Sequence, residues 1–290
     1  MSKSISAKIM SNLLLFWPKL SEQEAGQKLA ETLEAGEKPT PPPKNLVTRY
    51  EDSENGRVFY INEKSESPYV VFYIHGGAYY YDFVAPHWRF IENLVNATNA
   101  LVIAPAYRLL PFATYREAYD LIVPVYQHYC EQYPEKKIMM MGDSAGGGLS
   151  LALTEYCKSK AIRLPDEPIL FSPWVDVSME NEAIPEYQPR DPFLFADSLR
   201  PPGKRWADDL DVHDPRISPI YGDLTGIRNV TVFVETDEII YPDATKMFGM
   251  LDRDVSNELV VGEGMNHVYP LFPIKEAVNA DYKVFHTILR

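Results

Sequence analysis

The segment from Lys137 to Leu153 places the strongest limit on how this chain can fold. The apolar run Ile138-Met139-Met140-Met141 leads into Gly142-Asp143-Ser144-Ala145-Gly146-Gly147-Gly148, and Leu149-Ser150-Leu151-Ala152-Leu153 then reads as a helix. A strand that reverses this abruptly into a helix needs small residues on both sides of the turn, which Gly142 and Gly146 supply. Such a turn lifts the Ser144 hydroxyl clear of the sheet edge, where it can act as a nucleophile. A phosphate cradle is the competing use of glycines before a helix, but no Lys-Ser or Lys-Thr follows them and G-x-G-x-x-G is absent.

The same strand-and-helix rhythm extends through the chain. Val47–Tyr50 and Val58–Asn62 suggest a first hairpin, and Tyr69–Ile74 and Ala100–Ala104 are continuous apolar strands. Glu167–Ser172, Val230–Val234 and Glu258–Val261 continue the series, with helices expected at 86–98, 113–132, 145–160, 242–253 and 274–289. Apolar strands separated by helices predict an α/β fold, with a mostly parallel central sheet covered by helices on both faces. Residues 178–215 contain no strand pattern, and a connection that long suggests a lid or cap insertion.

The N-terminal stretch, residues 1–45, reads as a helical arm contributing to that cap, and 46–290 as the main domain. Ile5, Ile9, Leu13 and Phe16 fall on one face of a first helix, and Ser21-x-x-Glu24 opens a second as a capping box. Pro39-Thr40-Pro41-Pro42-Pro43 forms a stiff link, and the arm is expected to lie on the main domain.

A serine nucleophile needs a base, an acid to orient the base, and donors for the oxyanion that develops during attack. His75-Gly76-Gly77-Ala78 follows the Tyr69–Ile74 strand directly, so Gly76, Gly77 and Ala145 are the candidate amide donors. Among six histidines, His267 follows the last strand through Gly262–Asn266 and is the candidate base. His87, His128 and His286 lie in expected helices, His75 in the glycine loop and His213 in the irregular lid. Asp237, just past the Val230–Val234 strand, is the first choice of acid, with Glu238 and Asp243 as alternatives. The order Ser144, Asp237, His267 places each group just after the end of an expected strand.

These residues, with Tyr107-Arg108-Leu109, Ser172-Pro173-Trp174-Val175-Asp176 and Asp214-Pro215-Arg216-Ile217-Ser218-Pro219, make the chain resemble the hormone-sensitive-lipase-like family of α/β-hydrolase carboxylesterases. Leu110-Pro111-Phe112 stands where that family usually has Ala-Pro-Glu, and Val234-Glu235-Thr236 departs from its usual turn. The resemblance implies an α/β-hydrolase fold and ester hydrolysis through an acyl-enzyme, with no cofactor and no metal. Tyr79, Tyr80 and Asp143 are the candidate substrate contacts, and Tyr79–Tyr81 with Phe83 could restrict the site to short acyl chains. Packing beneath the N-terminal arm is the alternative use of those aromatics. A ligand-binding protein without catalysis and a serine peptidase are the rival functions.

A net charge of −13 disfavours nucleic acid and anionic membranes and suits a neutral small-molecule ester. Cys130 and Cys157 are too few for a disulfide framework. No segment reaches the roughly 18 consecutive apolar residues of a membrane span. A cytoplasmic protein, monomer or homodimer, is expected.

Overall fold

In a computed structural model, the apolar runs assemble into one sheet with helices packed on both faces. Residues 3–14, 31, 34, 43, 44, 46–253 and 256–290 are described. The elements in chain order are α1 (Ile5–Leu14), β1 (Val47–Ser53), β2 (Gly56–Ile61), β3 (Tyr69–Ile74), α2 (Ala85–Thr98) and β4 (Leu101–Tyr107). They continue with α3 (Tyr115–Gln132), β5 (Lys137–Asp143), α4 (Ala145–Ser159), β6 (Glu167–Phe171), α5 (Ile184–Tyr187) and α6 (Ala196–Ala207). The last are β7 (Thr231–Glu235), α7 (Tyr241–Phe248), β8 (Glu258–Gly262) and α8 (Lys275–Ile288), with short 3₁₀ turns at Pro219–Tyr221 and Tyr269–Leu271.

The eight strands run in the order β1-β2-β4-β3-β5-β6-β7-β8. β1 pairs antiparallel with β2 and β2 with β4, and every later pairing is parallel. Each expected strand is present, displaced by at most a few residues at its ends. The central strands are buried beyond their first residues, as a sheet sandwiched between two helical layers requires. One core lies between the sheet and α3 and α4, where Phe72 meets Tyr126 and Tyr129 edge-on. A second lies beneath α2 and α8, around Phe90, Phe171 and Val284.

Residues 178–215 hold α5 and α6 and no strand. Trp206 of α6 is fully buried and stacks on Tyr79, with centroids 4.2 Å apart and planes within 4°. This insertion is therefore anchored to the sheet edge by aromatic packing.

Helix α1 differs from expectation in its orientation. Ile5, Ile9 and Leu13 are 79%, 55% and 59% exposed, and the helix seats itself through Ala7 and Leu14 instead. The small Ala7 permits close approach, and polar groups fix the docking. Ser4 bonds Glu276 of α8, Ser11 Oγ donates to Asn266 Oδ1 at 2.9 Å, and Lys3 pairs with Asp237 at 3.1 Å. Phe16, the Ser21–Glu24 capping box and most of the proline link lie outside the described residues.

Candidate active site

The strands deliver their functional side chains to the carboxyl end of the parallel sheet, the usual site of open α/β folds. Ser144 sits between β5 and α4 with φ 52° and ψ −121°, a conformation that L-residues avoid. Such strain costs about 1–3 kcal/mol and persists only where surrounding contacts impose it. Here the Ser144 amide donates to Phe171 O at 2.8 Å, and its carbonyl accepts from Trp174 N at 2.9 Å. The flanking glycines are sterically obligatory. A Cβ at Gly142 would lie 2.4 Å from Gly146 O, and one at Gly146 would lie 2.1 Å from Ile74 O.

His267 reaches this turn from the loop after β8. Its Nε2 lies 2.9 Å from Ser144 Oγ, and its Nδ1 lies 2.7 Å from Glu238 Oε2. His267 and Glu238 are both fully buried, whereas Ser144 is half-buried and reachable. The carboxylate fixes the tautomer in which Nδ1 carries the proton, leaving Nε2 free to accept one from serine. Burial lowers the pKa of His267, so its neutral form persists below the usual imidazole range. Burial also pushes Glu238 up to about 7, against the amide of Glu235, which donates to it and favours the charged form.

Asp237 does not occupy the position expected of it. Its amide bonds Met265 O at 3.3 Å, and its partly exposed side chain pairs with Lys3. The turn after β7 sends consecutive side chains in different directions, and only the longer Glu238 folds back under His267. Glu238 Oε1 accepts from the Glu235 amide at 3.0 Å, so the same carboxylate closes the end of its own strand. Asp243, the other alternative, accepts from Asn181 Nδ2 at 2.6 Å, away from this histidine bond.

The glycine loop requires two further corrections. The Gly76 amide donates to Asp143 Oδ1 at 3.1 Å and is not free to meet a substrate. Among the described residues, the amides of Gly77, Ala78 and Ala145 have no acceptor. Gly77, Ala78 and Tyr79 hold φ values of 118°, 51° and 63°, which turns this loop back over the elbow. A Cβ on Gly77 would lie 2.3 Å from Tyr81 O, so only glycine fits there.

Asp143 is likewise not placed to touch a substrate. It is buried, and accepts from Tyr73 Oη at 2.9 Å, Gly76 N and His87 Nε2 at 3.3 Å. The three donors outweigh desolvation and hold its pKa below the ordinary carboxylate value. His75 stacks on Tyr107, whose hydroxyl donates to His75 O at 2.9 Å, so the Tyr107-Arg108-Leu109 motif supports the glycine loop from below. Tyr79 is buried against Trp174 and Trp206, and Phe83 packs on His75 and Trp88. Tyr79 packs under α6 and Phe83 against the loop and α2, and most of the N-terminal arm lies outside the described residues. Tyr80 is half-buried beside the same core.

Two residues near the site carry no motif signal. Phe193, in the insertion, faces His267 with ring centroids 5.9 Å apart. Asp191, buried beneath it, accepts from Phe193 N and Leu194 N at 2.8 Å and from Ile239 N at 2.9 Å. It thereby fastens the insertion to the turn that carries Glu238.

The sequence model of the family described as alpha/beta hydrolase fold matches residues 71–271. An esterase of Acinetobacter venetianus is 31% identical over 236 residues, covering 79% of this chain and 78% of that protein. An acetyl-hydrolase of Streptomyces hygroscopicus is 31% identical over 173 residues, 59% of this chain and 58% of its own length. A hormone-sensitive lipase from a metagenome library superposes with a TM-score of 0.82 at 22% identity, over 99% of this chain and 98% of that one. At that identity the superposition shows a shared fold.

Proposed function

We propose that this chain, which belongs to the alpha/beta hydrolase family, is a carboxylic ester hydrolase that cleaves short acyl esters through Ser144, His267 and Glu238. The observation that carries the reading is the unbroken series from Ser144 Oγ through His267 to Glu238, at 2.9 and 2.7 Å.

Ser144 Oγ attacks the ester carbonyl as His267 Nε2 takes its proton, and the imidazolium so formed is stabilised by Glu238. The amides of Gly77, Ala78 and Ala145 receive the negative charge on the carbonyl oxygen. Each such donor contributes about 3 kcal/mol in the transition state. His267 then gives its proton to the leaving alcohol, and the acyl group remains on Ser144. Water, deprotonated by His267, attacks the acyl-enzyme, and the proton returns to Ser144 as the acid departs. Together with the attacking water, the residues named supply every proton and donor in this sequence.

Preference for short acyl chains is supported by Phe193 against His267 and by the similarity to an acetyl-hydrolase. Cytoplasmic residence belongs to the same proposal, since Cys130 and Cys157 are buried free thiols. No helix among the described residues is long and apolar enough to cross a membrane. A monomer or homodimer acting on a small-molecule ester completes the proposal.

Hydrolysis of p-nitrophenyl acetate, butyrate and octanoate tests the whole reading. The expected result is a steep fall with chain length and no turnover above background in Ser144→Ala. Ester hydrolysis undiminished in that variant would refute the nucleophile.

A further inference from the structure

The acid of the relay has a second buried carboxyl beside it. Glu235, the last residue of β7, is fully buried, as is Glu238 three positions later. Ser172 Oγ donates to Glu235 Oε2 and accepts from the amide of Val268, the residue after the base, at 2.9 Å. The other oxygen, Oε1, is buried and receives no donor among the described residues.

Two carboxylates cannot both stay ionised side by side in a buried site, and such a pair resolves by holding one proton. The surroundings decide which group holds it. Glu238 has the His267 Nδ1–H and the Glu235 amide as donors and is the better placed to be charged. Glu235 has only the Ser172 hydroxyl. Burial and the neighbouring Glu238 drive the Glu235 carboxyl well above its ordinary range. The bond from the Glu235 amide acts on Glu238 in the opposite sense, favouring its ionised form.

We propose that Glu235 is a positioning residue, a neutral carboxylic acid that donates its proton to Glu238 and thereby keeps Glu238 charged and aimed at His267. A closed circuit results. Val268 N–H bonds Ser172, Ser172 bonds Glu235, Glu235 bonds Glu238, and Glu238 returns to His267, the neighbour of Val268. The charged and titratable groups around the pair are Asp191 from the insertion and His267 and Tyr269 from the loop after β8. Asp191 makes ionisation of Glu238 harder, so the proton of Glu235 offsets a charge supplied by the insertion.

The proposal rests on the ester-hydrolase reading for its kinetic arm and is independent of it for its spectroscopic arm. Isotope-edited infrared spectra of the whole protein at neutral pH should show a protonated carboxyl band that is missing from Glu235→Gln. A wild-type spectrum without that band, or one unchanged in Glu235→Gln, overturns the proposal whether or not the protein turns over esters.

In kinetics on p-nitrophenyl acetate, Glu235→Leu keeps the volume and removes the donor. A kcat loss of about 100-fold, the scale of a misplaced catalytic group, is expected with KM little changed. Its acid limb should also move to higher pH, since ionised Glu238 loses a hydrogen bond. Glu235→Gln, neutral and still a donor, should recover most of kcat and return the acid limb to the wild-type position. Equal rates and equal acid limbs in wild type and Glu235→Leu would overturn the assignment. A Gln variant as impaired as the Leu variant, but folded by circular dichroism, would overturn it too. Wild type inactive on every ester, with the infrared band present, would instead refute the ester-hydrolase reading alone.

Discussion

Adjacent acids on one turn have different uses here, and the difference gives the sharpest prediction at the scale of residues. Glu238 touches His267, whereas Asp237 faces Lys3 near solvent. Glu238→Gln should lower kcat by about 10⁴-fold, the loss seen when the orienting acid of such a relay is neutralised. Asp237→Asn should stay within a few-fold of wild type, because a partly exposed ion pair contributes at most about 1 kcal/mol. Steady-state kinetics on one short ester separates the two, and the reverse order would return the role to Asp237. The pH profile follows from the same residues. His267 must be neutral and Glu238 charged, so kcat/KM should rise with pH through about 7, where Glu238 ionises. A profile already flat from pH 5 upward would contradict that. The sequence singled out Ser144 and His267, which the fold brings to within 2.9 Å of each other, because each sits in a strand-to-loop context with few competitors. It did not separate Asp237 from Glu238, since a one-residue difference of phase in a turn leaves no periodic trace. The use of the Gly76 amide was hidden for a related reason. Its acceptor, Asp143, is 67 residues away, and only the folded sheet edge brings them together.

Elements were far more legible than contacts. Continuous apolar strands and capped helices announce themselves locally, so β3 begins and ends where the pattern places it. What stayed hidden was the side on which an element packs. Ile5, Ile9 and Leu13 of α1 turn outward, because Ala7 allows the close approach that larger side chains would prevent. The insertion at 178–215 was visible only as a gap in the strand rhythm. Its anchor, the stack of Trp206 on Tyr79, joins residues 127 positions apart and cannot be read from either neighbourhood. Trp206→Ala should destabilise the protein by about 3–5 kcal/mol, the usual loss for a buried aromatic, measured by urea denaturation. Helix α4 makes a stricter demand. A Cβ at Gly148 would stand 2.0 Å from Trp174 O, so Gly148→Ala should displace the loop after β6 and reduce both soluble yield and activity.

The molecule as a whole carries a net charge of −13 and several carboxyls held in poor solvent. Self-repulsion at that charge predicts a melting temperature that rises as salt goes from about 0.01 to 0.15 M, where the screening length shrinks to about 8 Å. Burial raises Asp281 of α8 to about 6, so the folded state binds its proton more tightly than the unfolded chain does. The stability this contributes is present below the ordinary carboxylate range and is lost as pH rises through about 6. Asp281→Asn should therefore gain on wild type in melting temperature between pH 5 and pH 7, and a constant offset would refute the assignment.

The attachment of Asp191 to both the Phe193 backbone and the Glu238 turn also bears on how this protein can change over time. Under the proposed mechanism, Phe193 beside His267 and Glu238 beneath it, the substrate-side wall and the group that orients the base, share one fastener. A mutation that reshapes the wall to admit a new ester reaches the reaction rate as well as the choice of ester. Selection for a broader diet would therefore move through variants that are slower before they are more tolerant. Lineages of such proteins should diversify first at positions on the insertion that leave Asp191 in place.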